Sequence, residues 1–287
     1  MKKRVIPPAL NILALGIGTQ STALYYMSAL GIIKRYDYAI FVDPGREKTD
    51  TYEYLKMLIE WGVKHNAPPI IIHKEKNLYE DLLNCTNSSN NSFITIPAYV
   101  TSKKYKSSLL KRQCTNEYKI QPFTRAIRKI YGISGHYWTP PTFISFGITT
   151  DEIERMKIPR KKWQTSLFPF CGYSVTRDKT EKIKGYPKFN RQDCINWLKE
   201  NNFTVPVKSS CTFCPYQSDL SWLELKNNDP KEFKKIVQLD KAIREDHRGR
   251  IKSPIYLHRS LKPLDRVVFK TSDKDDFGTC ASGICGL

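Results

Sequence analysis

Two periods of apolar spacing run through the first half of the chain. Residues 12–15 (ILAL), 38–42 (YAIFV), 69–73 (PIIIH) and 142–148 (TFISFGI) are short apolar runs of strand length. Between them the spacing becomes helical. Residues 21–30 read as an amphipathic helix, and 49–65 place Tyr52, Leu55, Leu58, Ile59 and Val63 on one face. Residues 191–201 and 231–244 read as later helices. Strands separated by helices predict an α/β fold with a mostly parallel sheet, right-handed crossovers and helices on its faces. The polar stretch 84–92 (NCTNSSNNS) reads as a loop. Residues 159–190 show no clean periodicity and read as an excursion that serves a site or a partner. The segment 149–157 has capping hydroxyls and early acids, the signature of a helix start. No internal repeat is present.

The strand at 12–15 runs into Gly16-Ile17-Gly18-Thr19-Gln20-Ser21 and then directly into a helix that begins with Ser21 and Thr22. A strand, a glycine loop and a helix N-terminus form a phosphate cradle. The glycines admit close backbone approach, and the free N–H groups of the first helical turn face the anion. The loop lacks the lysine of a Walker A sequence. It is close to the dinucleotide pattern G-x-G-x-x-G with Ser21 in the third place, and Asp43 at the end of the second strand stands where a ribose-binding carboxylate would be. A tight turn without a ligand is the plain alternative.

The chain has 287 residues, enough for one large domain or a domain with an appendage, and its 47 Lys and Arg against 28 Asp and Glu give a net charge of +19. Such an excess points to a polyanion such as DNA or tRNA, unless the lysines are simply solvated everywhere. Residues 103–112 and 155–162 are local basic clusters. No apolar run reaches the ~20 residues that a membrane helix requires. Pro7 and Pro8 interrupt the basic and apolar N-terminus, which argues against a signal peptide. A cytoplasmic setting follows, and there the eight cysteines favour metal or redox use over structural disulfides.

Cys211-Thr-Phe-Cys214 is a Cys-x-x-Cys pair that can converge two thiolates on one ion or cluster. Cys114, in Lys111-Arg112-Gln113-Cys114-Thr115, and Cys194 supply two further thiols. Four thiolates suit a [4Fe–4S] cluster or zinc. Buried core cysteines are the plain alternative. The histidines show no metal spacing, and His258 reads as a satisfied structural residue.

Taken in order, these segments resemble the phosphoadenosine-phosphosulfate (PAPS) reductase-like branch of the PP-loop, adenine nucleotide α-hydrolase-like superfamily. Gly16 to Ser21 resembles a degenerate S-G-G-x-D-S loop, with Gln20 in the place of its Asp. Asp43, Gly45, Thr51 and Tyr52 match the D-T-G-x-x-x-P-E-T-Y segment. Arg112, Cys114, Thr115, Lys119 and Pro122 match R-x-C-[CT]-x-x-x-K-x-x-P, and Ile284-Cys285-Gly286-Leu287 resembles a shortened E-C-G-L-H tail.

The resemblance implies a Rossmann-like adenine-nucleotide domain over residues 9–158, a smaller helical, cysteine-bearing part over 159–270, and a mobile tail over 271–287. It implies that Gly16, Gly18, Thr19, Gln20, Ser21, Thr22, Asp43, Gly45 and Lys119 bind ATP, PAPS or adenylyl sulfate (APS), with magnesium where ATP is used. It further implies catalytic roles for Lys111, Arg112 and Cys285, and a metal site of Cys114, Cys194, Cys211 and Cys214. Iron–sulfur is favoured over zinc for that site. Two activities remain open: sulfonucleotide reduction with a thioredoxin-like reductant, and ATP-dependent sulfur transfer to DNA or tRNA with release of AMP and pyrophosphate. A nucleotide-binding regulator without catalysis is the third possibility.

Overall fold

A computed structural model describes residues 7–101, 107–135, 138–245 and 251–271. In chain order the first elements are β1 (Leu10–Ala14), α1 (Thr19–Ala29), β2 (Tyr38–Val42), α2 (Thr49–Lys64), β3 (Ile70–His73) and α3 (Leu78–Leu83). Then come β4 (Tyr99–Val100), β5 (Ser108–Leu109), α4 (Gln121–Ile130) and β6 (Thr142–Ser145). A hairpin region follows with β7 (Gln164–Phe168), β8 (Tyr173–Val175) and β9 (Thr180–Lys182). The chain continues with α5 (Arg191–Glu200), α6 (Asp219–Asn228), α7 (Pro230–Glu245) and β10 (Ile255–Tyr256).

Seven strands form one mixed sheet in the order β3-β2-β1-β6-β7-β8-β9. The first five are parallel, and β8 and β9 return antiparallel at the edge. The protein is thus α/β with a mostly parallel sheet flanked by helices, compatible with a Rossmann-like arrangement. Alternation along β1 shows why both faces are covered. Ile12 and Ala14 join Ile40, Val42, Ile144 and the apolar side of α4 in one core, while Leu13 joins Ala39, Phe41 and the buried sides of α1, α2 and α5 in the other. Each fully buried leucine or isoleucine contributes about 1.5–3 kcal/mol of transfer free energy. Pro122 sits in the first turn of α4, where its missing N–H costs nothing.

A further core is built by α3, α6, α7 and a small antiparallel sheet of order β10-β4-β5. It draws on residues 78–118 as well as 213–269, with Trp222 and Phe213 at its centre. Residues 159–190 form β7, β8 and β9, which short strands without alternation did not announce. The segment 150–155 is a short 3-10 turn without a side-chain cap, not the start of an α-helix. Among the described residues no helix is long and apolar enough to cross a membrane.

Candidate functional site

The strand order reverses between β1 and β6, because the chain leaves them toward opposite ends of the sheet. The crevice at such a switch point, beyond the carboxyl ends of the strands, is where open α/β sheets bind ligands. The glycine loop leaves β1 at this place. Ile17 takes a positive φ of 54°, so the loop alternates: Ile17 and Thr19 turn inward while Gly16, Gly18 and Gln20 stay partly accessible. Ser21 Oγ donates to the Gly18 carbonyl at 3.2 Å and accepts from the Gly16 N–H at 3.3 Å, which closes the loop upon itself.

Helix α1 begins with Gly18 at its N-cap, with no side-chain cap and no acid in its first turn. The first intrahelical bond is Thr22 N–H to Gly18 C=O at 3.0 Å. The N–H groups before it, on Thr19, Gln20 and Ser21, therefore lie at the positive end of the helix dipole. The Thr22 hydroxyl is fully buried and has no hydrogen-bond partner among the described residues.

Gly147, just past β6, presses on this turn. A Cβ there would lie 2.6 Å from Ser21 N and 3.0 Å from Ser21 Cα. Only glycine permits that approach, and a lone glycine at the end of a strand pattern is the signal that could have revealed it. Gln20 Nε2 donates to Glu152 Oε2 at 3.3 Å, and Glu152 is ion-paired with Arg155. Gln20 thus ties the helix N-terminus to the loop after β6.

Asp43 ends β2, and its carboxylate organises the following turn. Oδ1 accepts from Gly45 N–H at 2.8 Å and from Tyr52 Oη at 2.7 Å, and Lys74 Nζ stands 3.6 Å from Oδ2. Tyr52 Oη in turn accepts from Glu47 N–H at 3.1 Å. Burial first, then the neighbouring carboxylates, hold the Tyr52 phenol well above its ordinary range. Gly45, with φ 106°, leaves no room for a Cβ beside Asn77. Thr51 is buried at the start of α2.

The same turn reaches the thiols. Pro44, Arg112, Cys114, Thr115, Tyr118, Lys119, Cys211 and Cys214 are among the residues lining one small cavity of about 30 Å³. That space suits a body of one or two waters' size and not a nucleotide. Glu47, which sequence reasoning passed over, bridges the two halves. It pairs with Cys211 as an isolated antiparallel bridge. Its buried carboxylate accepts from Lys119 Nζ at 2.8 Å and from Ser209 Oγ at 3.3 Å, with Cys211 Sγ at 4.0 Å. Arg46 forks onto Glu232 of α7 at 2.5 and 2.6 Å and covers the Tyr79 ring. Arg112 faces the ring of Tyr216 at 5.8 Å, and Lys111 is exposed.

Cys194 does not join the other three thiols. It lies on α5, fully buried in the apolar core against α1. Burial, with Asp193 next, pushes its thiol far above the ordinary range, and the residue belongs to a different core from Cys114 and Cys211. The expected four-thiolate set therefore does not assemble. Among the described residues no group of three or more His, Cys, Asp or Glu is arranged to hold a metal ion. No disulfide joins two of the six described cysteines. Cys285 lies outside the described residues.

His258 behaves as a structural residue. Its Nδ1 accepts from the Ser260 N–H at 3.2 Å, which fixes a neutral ring with the proton on Nε2, directed at Asp219 Oδ1 at 3.2 Å. No family model, curated protein or solved structure matches the chain.

Proposed function

We propose that the protein binds an adenine nucleotide at the β1/β6 switch point and works in sulfur chemistry, as a PAPS reductase-like PP-loop enzyme. One observation carries this reading. The N-terminus of α1, entered through Gly16 to Ser21 at the switch point, has no side-chain cap and no acid in its own first turn, with Glu152 reaching it only through the Gln20 side chain. In this reading the Gly18 to Ser21 backbone and the Thr22 hydroxyl hold phosphate. Asp43 fixes the turn beside the ribose or a magnesium ion.

The helical, cysteine-bearing part after the sheet is the second half of the proposed machine. Cys114, Cys211 and Cys214 line one cavity; it is the size of a single ion rather than an iron–sulfur cluster, and the three thiols would have to close on a zinc ion, because they are not arranged as a ligand group here. Such an ion would supply structural chemistry. Lys119 is neutralised by Glu47, so its work is to organise the thiol loop as much as to meet phosphate. Arg112 would supply positive charge to the substrate. We place the protein in the reducing cytoplasm, with a thioredoxin-like reductant if the activity is sulfonucleotide reduction.

The net charge of +19 favours a second reading, in which ATP is cleaved to AMP and pyrophosphate while sulfur passes to DNA or tRNA. Anaerobically purified protein supplied with adenylyl sulfate or ATP separates the two. Sulfite release supports the reductase, and AMP with pyrophosphate, stimulated by nucleic acid, supports the transferase. Neither product from either nucleotide contradicts both.

A further inference from the structure

We propose that Lys182, Lys184, Lys188 and Arg191 form a docking surface for the phosphate backbone of a nucleic acid, placed to bring that polymer to the glycine loop. The purpose given to this surface rests on the nucleotide-site reading above; its existence does not.

Residues 157–191 hold ten Lys and Arg against the carboxylates Asp178 and Glu181 alone, so they carry +8 of the chain's +19. All ten cations are exposed. Among the described residues only Lys179 of the ten has a carboxylate partner, Glu181 at 2.8 Å. The sheet sorts them into two groups. Lys182 pairs with Tyr173, which pairs with Phe168 at the carboxyl end of β7. The chain then stays at that end. Ile183 N–H reaches Gly172 C=O at 2.9 Å, Phe189 N–H reaches Phe170 C=O at 3.2 Å, and Thr150 N–H reaches Phe189 C=O at 3.0 Å. Arg191 N–H donates to Asp151 Oδ1 at 3.1 Å, and the next carboxylate, Glu152, holds Gln20 of α1.

Four cations therefore line a segment that runs from the sheet edge toward the glycine loop, with Asp151 and Glu152 between Arg191 and that loop. The basic run Arg160, Lys161 and Lys162 belongs to the opposite end, because Trp163 C=O accepts from Thr142 N–H at the start of β6, at 2.8 Å. Lysines protect exposed edge strands from pairing, which accounts for Lys182. Lys184, Lys188 and Arg191 lie beyond the strand and need another reason. Among the described residues no large apolar side chain from 159 to 206 is exposed, and Ile153, Ile158 and Val207 are exposed only at its margins, so charge and not an apolar anchor dominates the segment. Half-buried Tyr173 and Tyr186 interleave with the cations, as on surfaces that bind single strands.

Fluorescence anisotropy with labelled single-stranded DNA and RNA, without ATP, tests the proposal. Lys184→Glu with Lys188→Glu is expected to weaken binding at least tenfold at about 0.1 M salt and to lower the salt slope by about 2. Lys161→Glu with Lys162→Glu, the same charge change at the other end, is expected to stay within about twofold. Equal loss in both pairs overturns the proposal, as does absence of binding by the wild type or binding to phosphatidylserine vesicles alone. ATP affinity is read separately in the same proteins. A wild type that binds oligonucleotide but not ATP counts against the nucleotide site, and leaves the docking surface standing.

Discussion

Glu47 and Lys119 form a buried ion pair at 2.8 Å, with the carboxylate wholly out of solvent and the Cys211 thiol 4.0 Å away. The pair joins the turn after β2 to the helical turn at 116–120, and Glu47 also bridges to Ser209 and Cys211 at the Cys-x-x-Cys loop. Removing one member of a buried pair strands the other, at a cost of about 3–5 kcal/mol. Glu47→Gln is expected near the low end, since the amide still accepts one hydrogen bond. The double variant Glu47→Gln with Lys119→Met is expected to recover part of the loss. Urea unfolding in a double-mutant cycle measures the coupling, and additive losses would show that the pair is not coupled.

Gly147→Ala tests the contact between the switch-point loops. The methyl would meet the Ser21 backbone, which cannot yield like a flexible side chain. The expected stability loss is about 1–3 kcal/mol. ATP binding is expected to weaken at least tenfold, because the α1 N-terminus is displaced. Unchanged affinity by calorimetry would remove Gly147 from the site.

The cysteines separate by variant. Cys194→Ala is expected to leave iron or zinc content unchanged and to cost about 1–2 kcal/mol, as for other small cavities in a packed core. Cys211→Ser and Cys214→Ser are expected to lose bound metal with little change in folding. Metal analysis of anaerobic preparations decides, and loss of metal in Cys194→Ala would restore the four-thiolate set.

His258 gives the protein a pH dependence. Burial lowers its proton affinity most, while Asp219 pulls the other way and Arg259 adds to the lowering. The folded state therefore binds the proton less readily than the unfolded chain, whose histidine titrates near 6.5. Below that value the unfolded chain holds more protons, so stability is full above it and falls as the pH drops toward the lower folded value. Urea midpoints of the wild type are expected to fall from pH 7 to pH 5, and those of His258→Gln to fall less. Parallel curves would assign the dependence elsewhere.

The sequence made the parallel part of the sheet legible because its strands are buried on both faces and read as apolar runs. Residues 38–42 are the clearest case, and the glycine loop followed from β1 directly. β8 and β9 escaped notice because three-residue strands carry no period, and β9, at the edge, is exposed throughout. That Cys114, Cys211 and Cys214 line one cavity agrees with the motif order that first set them side by side. Cys194 was not separable from them, because a buried thiol and a ligand look alike in one dimension. Glu47 was hidden for the same reason, since an acid at a helix start is ordinarily solvated. The ends of the sheet also cannot be read from charge runs, so the basic cluster at 155–162 gave no sign that Arg160 to Lys162 lie at the amino end of β7.

Calorimetry of ATP binding to the wild type and to Gly18→Val tests the central claim most directly. A Cβ at Gly18 meets nothing within 4 Å, and its backbone, at φ −96° and ψ 165°, accepts any residue. The variant should fold as the wild type does, with the isopropyl group filling the space where a phosphate would approach. The account predicts one ATP bound per wild-type chain and loss of that binding in Gly18→Val at an unchanged melting temperature. Equal ATP affinity in both proteins would contradict it.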